Sequence, residues 1–279
     1  MLTSILFLSA IFSTAWSCPK HDNYQSHPHL GRRQVRIDVG RELKDWDYDH
    51  SADWATIRPE YALCQSGTHQ SPINIAGQEL AVTHTPDFEG YKNEPVPGNF
   101  ANWQFAPSFT LHHPEGEITG LPNLKFDGQE VFLIGWHIHA PSEHLVDGRR
   151  SRAEIHMVHV NEEDEEAVVV GIRVNVAPPG TPTESAFIKQ LGPLIHFNDT
   201  SQIEGLHVNV RQAIDEVGGL AEYWTYKGSL TTPPCTEGLR WFIPRQELLV
   251  SEGQMVEILA ASRFSHRVPQ EVWLHDINL

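Results

Sequence analysis

The chain has 279 residues, with 36 Asp plus Glu against 20 Lys plus Arg, so its formal net charge is −16; 40% of it is hydrophobic and 20% charged. A chain of this length and apolar content buries a core without disulfide staples and is not disordered. The negative charge argues against nucleic acid or an anionic membrane as an electrostatic partner, and 3 Cys exclude a disulfide-dense scaffold. The 17 His stand out as candidates for metal or proton chemistry.

In chain order, residues 1–17 combine an apolar run over residues 5–12 with small residues before Cys18, the pattern of a secretory signal peptide, although no Lys or Arg precedes Lys20. The run is too short to span a bilayer. Residues 18–40 are polar, His-rich and Pro-containing, and read as a flexible lead-in. From there residues 41–279 form one domain without a linker or repeat. Strand-like runs rich in Val, Ile, Phe and Trp occur at residues 131–139, 153–160, 167–176 and 239–243. Helical spacing is confined to residues 184–191, 210–217 and 253–261. The expected fold is mainly β, with few helices and loops that carry many of the Pro and Gly residues.

Cys64 and Cys235 are far apart in this domain, and in an oxidising compartment they are the economical pair, worth about 2–4 kcal/mol. Cys18 is then either removed with the leader or left for an intermolecular bond. Asn198-Asp199-Thr200 is a glycosylation sequon at Asn198 that suits a surface loop. Both features agree with a secreted, extracellular protein.

Residues 131–144 read VFLIGWHIHAPSEH. His137 and His139 lie two apart in a strand-like run, so their side chains leave the same face. His156, in AEIHMVHV, faces them if the two runs pair as an antiparallel hairpin through the turn at Val146-Asp147-Gly148. Three imidazoles converging from a sheet with one position open are what a catalytic Zn²⁺ needs, and imidazole suits Zn²⁺ better than Mg²⁺ or Ca²⁺. Glu154 precedes His156 by two, shares its face and can orient it through its other nitrogen. His27-Pro28-His29 has the same H-x-H spacing without a strand to aim it, and His159 points to the opposite face from His156. Asp45, Asp47 and Asp49 begin like a calcium loop, but His50 stands in the glycine place and Thr56 in the glutamate place. Nucleophile-elbow, HExxH, dinucleotide-binding and P-loop patterns are absent from the sequence.

QSPINI, GWHIHAPSEH, AEIHMVH and YWTYKGSLTTPPC together resemble the α-class carbonic anhydrases, in order from about Trp46 to Trp241. The resemblance implies a single domain on a large, mostly antiparallel twisted β-sheet with short peripheral helices. It implies Zn²⁺ held by His137, His139 and His156, with zinc-bound hydroxide attacking CO₂ to give bicarbonate and a proton. Glu143 and Thr231 match the family's gate-keeping pair. A threonine hydroxyl has one proton, and once that is donated to ionised Glu143 it can only accept from the nucleophile. Thr231 and Thr232 border the bicarbonate position, and Val158, Val169, Leu230, Leu239 and Trp241 match the apolar wall of the CO₂ pocket. Cys64 and Cys235 match the disulfide of secreted members, and Trp46, Tyr48 and Trp54 match scaffold positions.

The departures from the family pattern are specific. Aligning Asn99-Phe100-Ala101-Asn102 with the Asn-x-Gly-His stretch places Asn102 at the proton-shuttle position. An amide does not titrate, so proton export is expected to be slow, and Trp103 and Phe105 are expected to narrow the cavity mouth. Gly135 stands where many members have a Gln that orients the first ligand, a loss worth about 10–100-fold in metal affinity or activity. Lys227 replaces a Pro, and the C-terminal Arg-Pro-x-Gln appears scrambled as Arg267-Val268-Pro269-Gln270. The rival readings are a non-catalytic zinc-binding member of the fold and a zinc-hydroxide esterase. Neither oligomeric state nor physiological role is legible in the sequence.

Overall fold

The computed structural model describes residues 36–38, 44–114, 117–181 and 183–279. The leader, most of the lead-in, His27, His29 and Cys18 lie outside the described residues. The strands are β1 (Arg36–Asp38), β2 (Asn74–Ile75), β3 (Val96–Asn102), β4 (Pro107–Leu111), β5 (Asn123–Phe126), β6 (Gln129–His139) and β7 (Leu145–Val146). They continue as β8 (Arg149–Arg150), β9 (Ala153–Val160), β10 (Glu166–Val176), β11 (Ser201–Val208), β12 (Tyr223–Ser229), β13 (Glu237–Pro244) and β14 (Leu248–Val250). The helices are short: α1 (Leu63–Ser66), α2 (Ala186–Lys189), α3 (Arg211–Glu216) and α4 (Glu252–Ala261).

One large sheet runs β1-β11-β3-β4-β6-β9-β10-β13-β12, with β5 added to β6 and β14 to β10. Its pairings are antiparallel except for β10 with β13 and β14, which are parallel. A separate small sheet joins β2, β7 and β8. The four strand-like runs of the sequence are β6, β9, β10 and β13, and the three helical windows contain α2, α3 and α4. Among the described residues no helix is long and apolar enough to cross a membrane.

Every residue of β9 is buried, as befits a strand at the centre of a sheet covered on both faces. Alternation then sorts its side chains. Ile155 and Met157 join Trp136, Ile138, Val168, Val170 and Phe242 in the main core. That core is closed by Phe187 and Ile188 of α2, Ala213 and Ile214 of α3, and Met255 and Ile258 of α4. The α4 helix begins with a capping box at Ser251 and Gln254, which satisfies its first free N–H groups. The opposite face carries His137, His139, Glu154, His156 and a smaller apolar cluster of Val169, Leu239, Trp241, Ile243, Leu230, Ile73 and Ile75.

Cys64 and Cys235 form a disulfide across 171 residues of chain. Around it, Gln70 Nε2 donates to the Cys235 carbonyl at 3.1 Å and Arg267 donates to the Cys64 carbonyl at 2.5 Å. The bridge therefore fastens the segment after Thr232 to the N-terminal loops. Replacing both cysteines by serine should lower the unfolding free energy by about 2–5 kcal/mol in urea denaturation, and a loss below about 0.5 kcal/mol would contradict this role.

His159, on the main-core face, is fully buried with Nε2 2.5 Å from the Tyr91 hydroxyl. Burial lowers its pKa from 6.5 to about 4. On acidification the unfolded chain takes up this proton first, so stability contributed by neutral His159 is present above about pH 6.5 and drains away toward about pH 4. His159→Gln, which keeps an acceptor for Tyr91 but does not titrate, should remove about 2–3 kcal/mol of the stability difference between about pH 7 and about pH 4.5. An unchanged pH profile of urea unfolding would refute that assignment.

Candidate metal centre

The β6–β9 register sets His137 opposite His156 and His139 opposite Glu154. A register irregularity between Leu133 and Gly135 lies just before the ligand residues, a place where bulges re-aim side chains. The three imidazoles converge, with ring centroids 4.9 Å apart for His137–His139, 5.4 Å for His137–His156 and 4.4 Å for His139–His156. One nitrogen from each lies within 4.8 Å of the others. All three side chains are buried, and burial first, then their mutual repulsion, lowers the pKa of His137 and His139 far below the usual histidine range. Burial also lowers His156. Neutral imidazole is the form that ligates a metal.

Two of the three rings are oriented by a hydrogen bond to the nitrogen that faces away from the cluster. His139 Nδ1 lies 2.6 Å from the Ser265 carbonyl, leaving Nε2 buried without a partner. His156 Nε2 lies 2.8 Å from Glu154 Oε1, which turns Nδ1 inward. An orphaned, buried imidazole nitrogen beside two others is the donor set that Zn²⁺ fits.

Glu154 holds more than His156. It accepts from the backbone N–H groups of Glu143 and His144, each at 2.9 Å, and from His144 Nδ1 at 2.6 Å. Burial by itself would raise the Glu154 pKa, but His144 and His156 outweigh it and keep the carboxyl well below its usual range. The set His144, Glu154 and His156 is also close enough to hold a metal. Its 2.6–2.8 Å contacts are hydrogen bonds, however, and the second nitrogen of His144 is taken by the Tyr226 hydroxyl at 2.7 Å.

Glu143 is wholly buried beside the triad, with Oε2 3.6 Å from His139 Nε2 and 3.8 Å from His156 Nδ1. Its Oε1 accepts from the Arg267 backbone N–H at 2.7 Å, while Oε2 has no hydrogen bond of normal geometry. Burial pushes its pKa up to about 8, against the pull of the neighbouring Thr231 hydroxyl and the Arg267 N–H. A cation held by the triad would favour the ionised form.

The apolar residues expected at the pocket share the triad's face. Val158 pairs with Val169, which pairs with Trp241, so the three form a row across β9, β10 and β13. Trp241 also meets His156 at 4.9 Å between ring centroids. Leu230, Thr231, Thr232 and Leu239 are buried. A separate acidic groove of about 820 Å³, lined by Glu130, Glu162, Glu163, Glu165, Glu166 and Glu237, shares only Leu239 with these positions. Asn198 is exposed in a turn before β11.

Asn102, read from the sequence as the substituted shuttle position, lies inside the protein. It is fully buried, its amide donates to the Ile195 and Ala261 carbonyls at 2.8 and 3.0 Å, and its oxygen accepts from Gln104 N–H. These bonds lock the end of β3 to the loop after α2 and to the end of α4. In the β3–β4 turn Gln104 has φ +87°, the left-handed conformation that suits glycine. Phe105, the next residue, stacks on Trp46 at 5.5 Å.

Sequence reasoning assigned no individual role to His144, Tyr226, Ser71 or Arg267. Tyr226 OH donates to Ser71 Oγ at 2.8 Å, which also accepts from the Ser229 N–H, joining QSPINI to the YWTYKGS strand. Arg267 is buried, donating from its guanidinium to Ser71 O at 2.7 Å and from its backbone to Glu143. His144 stood beside Glu143 in the ligand motif, which was signal enough. Lys227 pairs with Asp276 at 2.9 Å on the surface.

A family model for eukaryotic-type carbonic anhydrase matches residues 49–275. Alpha carbonic anhydrase 3 of Arabidopsis thaliana is 31% identical over 75% of this chain and 72% of its own. A carbonic anhydrase of Neisseria gonorrhoeae is 26% identical over 97% of this chain and 90% of its own. In fold, the chain is similar to the α-carbonic anhydrase of Thermovibrio ammonificans solved with the inhibitor sulfanilamide. The two share 23% identity over 86% of this chain and 99% of that one, with a TM-score of 0.66. By its fold, its histidine triad and these matches, the chain belongs to the eukaryotic-type α-carbonic anhydrase family, a family of lyases.

Proposed function

We propose that this protein catalyses the zinc-dependent, reversible hydration of CO₂ to bicarbonate and a proton. The observation that carries this reading is the convergence of three neutral, buried imidazoles beside Glu143 and Thr231. His137, His139 and His156 would hold Zn²⁺ and leave one position open, carbonic anhydrase being the standard case of a three-histidine catalytic zinc. When bound, the metal supplies Lewis acidity that brings a coordinated water to its nucleophilic form near neutral pH.

The chain's own residues supply the rest. Arg267 N–H fixes one oxygen of Glu143, leaving the other for the Thr231 hydroxyl. Thr231, with its one proton engaged in the hydrogen bond to the carboxylate, can only accept from the nucleophile, and so selects and aims one that carries a hydrogen. Val158, Val169, Leu230, Leu239 and Trp241 offer an apolar wall that suits uncharged CO₂ and excludes water, while Thr232 borders the product. With Phe105 at the hairpin position and Asn102 tied up internally, proton export to solvent is left to external buffer. The exposed Asn198 turn supports glycosylation there. The disulfide agrees with an oxidising compartment, hence with secretion and residues 1–17 as a removed leader.

In stopped-flow assays the zinc-loaded chain should hydrate CO₂ with a turnover that rises with imidazole-type buffer concentration and is lost in His156→Ala. Bound zinc without hydration would favour the non-catalytic reading. Faster turnover of activated esters than of CO₂ would favour an esterase. A rate indifferent to buffer would refute the missing relay.

A further inference from the structure

The two well-anchored ligands make the third conspicuous. His139 has the Ser265 carbonyl and His156 has Glu154, but the residue that shares the face of His137 two positions earlier is Gly135. No side chain fits there. A Cβ at 135 would stand 2.5 Å from the carbonyl oxygen of Phe109 in β4, and backbone at that distance does not yield as a flexible side chain would. The close approach of β4 to β6 thus removes the position from which an amide could reach the His137 ring.

The same strand approach brings in Trp103. Where β4 pairs with β6, Ser108 stands opposite His137. One step further that register would set Pro107, which has no N–H, opposite Ile138. The Ile138 carbonyl instead accepts from the indole Nε1 of Trp103 at 3.2 Å. Trp103 is held at its backbone as well, donating to the Ala106 carbonyl at 3.0 Å, and is only 5% exposed. Its ring lies 5.1 Å from that of His137 and 5.3 Å from that of His139. Tyr48 at 6.3 Å and Phe105 at 5.0 Å pack around it.

We infer that Trp103 is a positioning residue for the metal: its indole, bolted to the ligand strand at Ile138, fixes the His137 ring by packing where Gly135 leaves no room for a hydrogen-bonding side chain. The inference rests on the zinc reading above and extends it to a residue that meets neither substrate nor metal. A flat ring wedged against an imidazole restricts its χ2 rotation, which is the service a hydrogen bond from position 135 would render. The indole also ties the strand that carries two ligands to the β3–β4 turn, so ring and backbone are set together.

The test uses the full chain with Trp103→Leu, which keeps apolar volume without a flat ring, and Trp103→Phe, which keeps a ring without the N–H. Zinc affinity is read by competition with a chromophoric chelator, and ligand geometry by the visible absorption of Co²⁺ bound in place of zinc. Trp103→Leu should raise the metal Kd by about 10–100-fold and alter the Co²⁺ bands, whereas Trp103→Phe should stay within about threefold of wild type. Urea unfolding of the metal-free proteins separates this from a general loss of stability. If Trp103→Leu does not fold, Trp103→Phe carries the test through NOEs between the His137 ring protons and the ring at position 103 in metal-free protein. Wild type and Trp103→Phe should then show His137 in one ring orientation with one sharp set of ring-proton signals, and averaging between ring orientations in wild type would overturn the inference. A folded Trp103→Leu with wild-type Kd and Co²⁺ spectrum would overturn it too. Wild-type protein that takes up neither metal would instead overturn the zinc reading, and the His137 signal in folded Trp103→Leu then decides the role of Trp103: averaged supports it, sharp refutes it.

Discussion

The site depends on a buried carboxylate. Glu154 has no exposure, and an unpaired charge in that position would be destabilising by several kcal/mol. It is kept ionised by donors converging from two directions, the N–H groups of Glu143 and His144 and the rings of His144 and His156. This single group therefore fixes three things at once. It sets the tautomer of His156 in the triad, it anchors the turn that carries Glu143, and through His144 it reaches Tyr226 and the QSPINI segment.

Around that centre the fold works by register. Antiparallel pairing of β6 and β9 places His137 against His156, and the parallel step from β10 to β13 continues the row from Val169 to Trp241. One sheet face becomes a helix-covered core, and the other carries the histidine triad, walled with apolar side chains. The C-terminal segment closes the site from behind. Ser265 accepts from His139, and Arg267 clamps Glu143, Ser71 and Cys64 together, so the disulfide and the Glu143 carboxylate share one support.

What the sequence made legible was whatever local periodicity and motif carry. The strands β6, β9, β10 and β13 are central and apolar, so they read as continuous runs, and the three windows of helical spacing each contain a helix. The strands β3 and β11 were passed over because Pro97, Gly98 and Asn99 interrupt one, and Gly205 with exposed polar residues breaks the other. Pairing with neighbours, not local propensity, makes them strands. The triad and Glu154 were legible because period two fixes the face. The internal bonds of Asn102 were not, because its partners Ile195 and Ala261 lie far along the chain. Nor was the meaning of Gly135, which lies in the approach of a different strand, or that of Arg267, whose partners are more than a hundred residues away.

If His137, His139 and His156, and no other set, hold one zinc with an open position, X-ray absorption at the zinc edge of the metal-loaded protein should reveal it. The spectrum should show three imidazole nitrogens at about 2.0–2.1 Å and one further light-atom ligand, with the imidazole count falling to two in His156→Ala. A spectrum with sulfur, or one with fewer than three imidazoles in the wild type, would contradict it.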